Sequence, residues 1–264
     1  MFTTPDGREF MLFESIDDLL EALGESFHGS TPEARARDGY MFRGHSDSKW
    51  LLQPTILRDP QTVQHVKARD LYTRAFLRDL RLARSSLNLP GDDELPLFAV
   101  AQHYGFPTTL LDFSYSFEVA AAFAHDKTSA AEFGVVFQLS RREVENLVNP
   151  FGAVGLTKAA TDAIFARVGL SSVPPLEIVS LPTVKRVTVQ EGLFFSLRPD
   201  QVTALERDCI DRYYFRHGAE PNRRLSALYA TLFPADDLLD EFVRDWKSRS
   251  PYSEKPWNRG ETEA

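Results

Sequence analysis

The sequence predicts an α+β fold, one domain with mixed or antiparallel sheet and flanking helices. Three observations point there. Short strand-like runs such as Tyr40–Arg43, Gly134–Leu139 and Arg212–Phe215 are scattered along the chain. Helical periodicity separates them without the strict strand–helix alternation of a parallel sheet. Neither a repeat nor a low-complexity linker divides the 264 residues.

Each element has a local cause. Ser15-Ile-Asp-Asp18 has the Ser-x-x-Asp pattern of a helix start, and the helix runs to Gly24. A polar loop follows from Gly29 to Gly39, and the aromatic-rich strand Tyr40–Arg43 stops at Gly44. Trp50–Leu57 is irregular, broken by Pro54. A long helix is expected from Pro60 to about Ser86, with Val63, Val66, Leu71, Ala75, Leu77 and Leu80 as its apolar side. Pro96–Tyr104 reads as a second buried helix, ended by Gly105 and Pro107. Ser116–Ala124 is a helix of small residues, capped by serine and thin enough to lie on a sheet. Residues 141–175 read as helix and loop. Strands are expected at Leu176–Leu181, Val184–Gln190, Phe194–Leu197 and Arg212–Phe215, and two amphipathic helices at Pro221–Leu232 and Ala235–Trp246. The expected division is an N-terminal helix and loop (1–39), the main domain (40–249) and a disordered polar tail (250–264).

Composition excludes several classes. Hydrophobic residues make up 43% and charged residues 26%, as in ordinary soluble domains. The 30 Lys+Arg against 38 Asp+Glu leave a net charge of -8, which offers no global attraction to nucleic acid or anionic membrane and leaves room only for a local basic patch. A single cysteine, Cys209, excludes an internal disulfide and a cysteine-cluster metal site. No apolar run approaches the roughly 20 residues of a membrane span. The expectation is a cytoplasmic protein that binds neither membrane nor metal. P-loop, dinucleotide-fold and α/β-hydrolase glycine motifs do not occur.

Two polar segments stand out in apolar surroundings: Tyr40–Asp47 and Ala101–Ser114. Buried polar groups are costly unless paired, so the two read as walls of a polar pocket. Arg43, on a strand beside Gly44, suits bidentate grip of a phosphate or carboxylate, and Gly44 would let a ligand approach the backbone; a structural ion pair is the alternative for Arg43. His103 and Tyr104 end a helix, where the histidine serves as acid or base or else caps carbonyls. His45 is a loop histidine of the same kind, whereas His28, His65 and His217 read as surface residues. Asp112 and Ser114 precede the small-residue helix and either cap it or face the pocket. Gln190-Glu191, at a strand end before glycine, offers one inward side chain that would stabilise positive charge on a sugar ring, or simply ends a strand.

These residues resemble the FRG domain, a prokaryotic domain named for its Phe/Tyr-Arg-Gly motif. The likeness rests on Phe42-Arg43-Gly44, on Trp50-x-Leu-x-Pro54 with Arg58, and on Ala-Gln-His-Tyr-Gly-x-Pro-Thr-x-Leu-Leu-Asp-x-Ser from Ala101 to Ser114. Ala121-Ala-Phe123, the Arg186-x-x-x-Gln-x-Gly-x-Phe194 pattern and Leu232-Phe-Pro234 fit as well. Phe113 stands where tryptophan is usual and Thr109 where arginine is common. The order of motifs is also similar to that of ADP-ribosyltransferases. That likeness implies NAD as substrate, gripped by Arg43 at the pyrophosphate or ribose. Ser114 would contact the nicotinamide ribose, while Tyr104 or an aromatic between Phe113 and Phe117 would stack on nicotinamide. Glu191 or Gln190 would bond the ribose 2′-hydroxyl. The implied activity is transfer to a protein or nucleic acid, or NAD hydrolysis, in a toxin or phage-defence effector with an antitoxin or defence partner. Two alternatives stay open: a hydrolase or nuclease using His103 with Asp112, and a non-catalytic module binding a nucleotide or anion.

Overall fold

Tyr40–His45 (β3) is an alternating strand, and its two faces explain the sheet around it. Phe42 and Gly44 point one way and Met41, Arg43 and His45 the other. A computed structural model describes residues 1–3, 7–27, 39–58, 63–89, 94–125, 131–148, 154–167, 184–196, 209–218, 220, 222–233 and 238–250. They fall into two compact units: Met1–Leu52 with Asp112–Glu177 and Arg198–Leu232, and Gln53–Leu111 with Ile178–Leu197 and Phe233–Ala264.

The first unit holds the sheet. Its strands are Phe2–Thr3 (β1), Glu9–Phe13 (β2), β3, the end of Leu110–Ser114 (β4), Phe133–Ser140 (β5) and Ile210–Arg216 (β7). They lie in the order β1-β2-β7-β5-β3-β4. The sheet is mixed: β2 runs parallel to β7, with Met11 opposite Tyr213, and the β1–β2, β3–β4, β3–β5 and β5–β7 pairings are antiparallel. Register aligns Arg43, Phe137 and Arg212 in one row across β3, β5 and β7.

Helices Ile16–Phe27 (α1), Phe117–Ala124 (α4) and Arg223–Thr231 (α8) cover the Phe42–Gly44 face. Ser116 caps α4 by accepting a hydrogen bond from the Val119 amide at 3.3 Å. Its alanines give α4 the thinness needed to lie directly on β3. A Cβ on Gly44 would stand 1.9 Å from the Ala120 carbonyl oxygen. The core here is Ile16, Leu19, Phe42, Phe117, Val136, Phe215, Leu225 and Leu232 with the α4 alanines. Helices Arg141–Val148 (α5) and Lys158–Arg167 (α6) complete this unit's described elements.

The second unit is mainly helical: a 3-10 turn at Thr55–Leu57, then Val63–Ala83 (α2), Glu94–His103 (α3), Lys185–Val189 (α7), the strand Gly192–Ser196 (β6) and Leu238–Arg249 (α9). Aromatic rings form its centre. Phe76 stacks on Phe106 at 3.8 Å, and Trp246 meets Phe76, Phe106 and Tyr72 edge-on at 5.3–5.5 Å. Each such pair contributes about 1 kcal/mol beyond the area it buries.

Several sequence expectations need correction. Val184–Gln190 is not a strand: α7 occupies Lys185–Val189, because its β-branched residues sit one helical turn apart and bury Val187. The apolar side of α2 is rotated. Val63 and Leu71 are exposed (71% and 61%), and the buried face is Arg69, Tyr72, Thr73, Phe76, Leu77 and Leu80. Arg69 is accepted inside because its guanidinium donates to the carbonyls of Thr55, Ile56 and Arg58. Leu110–Ser114, read as the lead-in to a helix, is a strand, and β1 and β2 were not foreseen. The strand expected at Leu176–Leu181, the loop at 29–38 and the tail from 251 lie outside the described residues.

Candidate functional site

Within the first unit, Arg43 is the centre of a polar cluster. Strand alternation brings His45 onto its face, and the Arg43 Nε donates to His45 Nε2 at 2.9 Å. Nη1 donates to the Asp112 backbone oxygen at 2.5 Å and pairs with the Asp112 carboxylate at 2.6 Å. The Arg43 side chain is 9% exposed, the Asp112 side chain 41%. Among the described residues no acceptor contacts Nη2, so two of the five N–H donors of a nearly buried cation are unspent there.

The surroundings hold the cluster still. His45 accepts at Nε2, which puts the proton of the neutral ring on Nδ1. Its ring meets Phe137 edge-on at 5.0 Å and Trp50 at 6.1 Å. Ser114, opposite Phe42 in register, is 6% exposed, and its hydroxyl accepts from the Ser116 amide at 3.0 Å. Ser114 therefore shapes the turn into α4, and the cap itself is Ser116.

Arg212, which the sequence reading passed over, is the other nearly buried cation on this face. It is 8% exposed, with its guanidinium over the rings of Phe10 (5.4 Å) and Phe137 (5.8 Å). The only available signal was the strand pattern itself, because pairing of β7 with β5 is what brings Arg212 into line with Arg43.

Two proposed ligand contacts are occupied by the fold. The Cβ side of Gly44 is filled by the α4 backbone, so glycine is needed there for helix-on-sheet contact and not for ligand approach. Phe117 is 2% exposed, with its ring edge-on to Phe42 at 5.4 Å, which makes it a core residue.

Within the second unit, the Ala101–Thr108 motif is mostly scaffolding. Gly105 takes φ +78 and lets the Phe106 amide return to the Ala101 carbonyl at 2.9 Å, closing α3. Gln102 links the Thr55 and Thr108 hydroxyls at 3.4 and 2.5 Å. His103 lies edge-on to Phe194 at 5.1 Å, and a Cβ on Gly192 would approach its Nε2 to 3.3 Å. The His103 carbonyl accepts from Arg186 Nη1 at 2.9 Å, and Lys247 Nζ donates to the Tyr104 carbonyl at 3.1 Å. Two cations thus meet the negative end of α3. Arg186 lies over the rings of both Tyr104 (4.8 Å) and Phe233 (4.9 Å), so Tyr104 stacks on an arginine.

Gln190 and Glu191 sit between α7 and β6, not at the end of a preceding strand. Gln190 is the C-cap of α7 and 7% exposed. Glu191 is half-buried at φ 47, in the left-handed region, with its amide donating to the Thr188 carbonyl at 3.1 Å. A non-glycine residue held there is strained by about 1 kcal/mol or more, a feature that concentrates at functional sites. No group of three potential metal ligands occurs among the described residues, and no helix among them is long and apolar enough to cross a membrane. The family model for the FRG domain matches residues 38–132. No curated protein and no solved structure matches the chain.

Proposed function

From a chain that carries an FRG domain over residues 38–132, we propose ADP-ribosyl transfer from NAD to a macromolecule or to water. One observation carries the reading: Arg43 is nearly buried, fixed by His45 and Asp112, and keeps Nη2 without an acceptor among the described residues. A cation held this way is preorganised for a pyrophosphate oxygen and pays little entropy on binding.

In the proposed step the bond between ribose C1′ and the nicotinamide nitrogen breaks. Its electron pair leaves with nicotinamide, which becomes neutral. An acceptor oxygen or nitrogen then bonds to C1′ and releases its proton to solvent or a nearby base. The transition state is oxocarbenium-like and calls for a negative group near the ribose to stabilise it. Such chemistry needs charge stabilisation and position more than a strong base. The role of a toxin or phage-defence effector is proposed on the same footing.

The test incubates the purified chain with NAD labelled in the adenine half, with and without cell lysate. Nicotinamide release and label transfer are expected, and both should fall at least a hundredfold in an Arg43→Lys variant that keeps the wild-type melting temperature. Release unchanged in that variant, or no release from the wild type under any condition, rejects the proposal.

A further inference from the structure

Trp50, 52% exposed, is the most open aromatic ring among the described residues. A single exposed ring is ordinary on a protein surface, but three observations set this one apart. The first is its position. The indole and the His45 ring meet edge-on at 6.1 Å, and the same histidine accepts from Arg43 Nε at 2.9 Å. His45 is therefore a spacer between an open aromatic ring and a nearly buried guanidinium whose Nη2 has no acceptor among the described residues.

The second observation is the turn that carries the ring. The Trp50 amide donates to the Asp47 carbonyl at 3.1 Å and the Lys49 amide to Asp47 Oδ1 at 2.9 Å. The Ser48 amide donates to the Phe133 carbonyl at 2.9 Å, and the Ser46 carbonyl accepts from His217 Nε2 at 2.8 Å. The turn is thus tied to the start of β5 and the end of β7, so its backbone loses little freedom when a ligand arrives. The third observation concerns the rings expected to stack on a base. Tyr104 is taken by Arg186 at 4.8 Å, and Phe113 and Phe117 are 3% and 2% exposed.

We infer that Trp50 stacks on the adenine ring of a nucleotide whose pyrophosphate Arg43 grips. The inference rests on the anion-binding role proposed for Arg43, and not on the nicotinamide step. Two arguments select adenine over nicotinamide. Adenine is neutral and suits a ring one histidine away from a guanidinium, where the nicotinamide cation would be repelled. The reacting end of the dinucleotide also needs a place that excludes water, whereas half of Trp50 faces solvent. Trp50 is on this view a binding residue for the end of the substrate that does not react.

The test compares binding of ADP and of inorganic pyrophosphate to the full chain by titration calorimetry, with nicotinamide release from NAD followed in parallel. A base stacked on an aromatic side chain is worth roughly five- to a hundredfold in affinity, so the wild type should prefer ADP by at least about fivefold. Trp50→Ala should bind pyrophosphate as the wild type does and lose that preference to within about twofold, and Trp50→Phe should recover most of it. Leu51→Ala removes the neighbouring side chain, 66% exposed, and should keep the preference. All three change exposed side chains and should retain native circular dichroism. A preference for ADP that depends on Trp50 supports the inference. It does so even in a protein that releases no nicotinamide, an outcome that rejects the NAD reading alone. Four results overturn the inference: no binding of either probe, equal affinity for both, a preference kept in Trp50→Ala or lost in Leu51→Ala, and weakened pyrophosphate binding in Trp50→Ala.

Discussion

Replacing Gly44 by alanine puts the contact between β3 and α4 to a direct test. The added Cβ would lie 1.9 Å from the Ala120 carbonyl oxygen and 2.6 Å from the Ala124 amide nitrogen. Ordinary contact needs about 3.5 Å, so one element must retreat by roughly 1.5 Å. The obstacle is backbone, and no rotamer change relieves it. Overpacking typically costs about 1–3 kcal/mol, and this case belongs at or above the upper end. The retreat also loosens Phe117 on Phe42, which meet at 5.4 Å. A loss of about 3 kcal/mol corresponds to a melting temperature lower by roughly 6–12 °C. Denaturant melts followed by circular dichroism would compare Gly44→Ala with Gly218→Ala, whose Cβ makes an ordinary contact of 3.6 Å. Gly44→Ala within about 0.5 kcal/mol of wild type would refute the reasoning. Full stability with lost ligand binding would return Gly44 to the role the sequence first suggested.

Two further expectations follow from buried polar groups. Thr73 is fully buried and donates its hydroxyl to the Pro107 carbonyl at 2.6 Å. Thr73→Val keeps the shape but strands that carbonyl, and should cost about 1–3 kcal/mol in the same denaturant assay. Burial, with Asp211 and Tyr40 adding to it, pushes the Tyr213 phenol up to about 12 from 10.0. A folded pKa above the unfolded one gives stability that is complete below about pH 10 and lost as pH rises towards 12. Ultraviolet titration of phenolate should therefore show a late-ionising component that shrinks in Tyr213→Phe, and no change of that component in the variant would contradict it.

The parts of the fold governed by local chemistry could be read from the sequence. The Ser116 cap and the alanines after it identify α4, Gly105 identifies the end of α3, and aromatic alternation identifies β3. Elements decided by distant partners could not. β2 is a strand because β7, some two hundred residues later, offers it an edge, and no local pattern announces that. Lys185–Val189 looks like a strand by composition, since β-branched residues favour strands only as far as packing permits. In the same way Arg43 and Asp112 were readable as polar intruders among apolar neighbours, whereas Arg212 needed the register of three strands to become visible. Gly44 and Phe117 were read as ligand contacts, but what they touch is each other's helix and strand.

The register of the sheet also bears on where the domain can be cut. The segment matched by the family model ends at residue 132. The strand that pairs with β3 along its whole length, from Tyr40–Ser140 to His45–Val135, begins at Phe133. A polypeptide trimmed to the matched segment would retain the Arg-Gly signature and the β4 residue opposite Phe42, yet lose β5, β7 and β2 together. Arg43 would then stand on an edge strand with exposed amides, prone to pair with another molecule instead of holding a ligand. The signature is thus shorter than the smallest piece of chain able to display it.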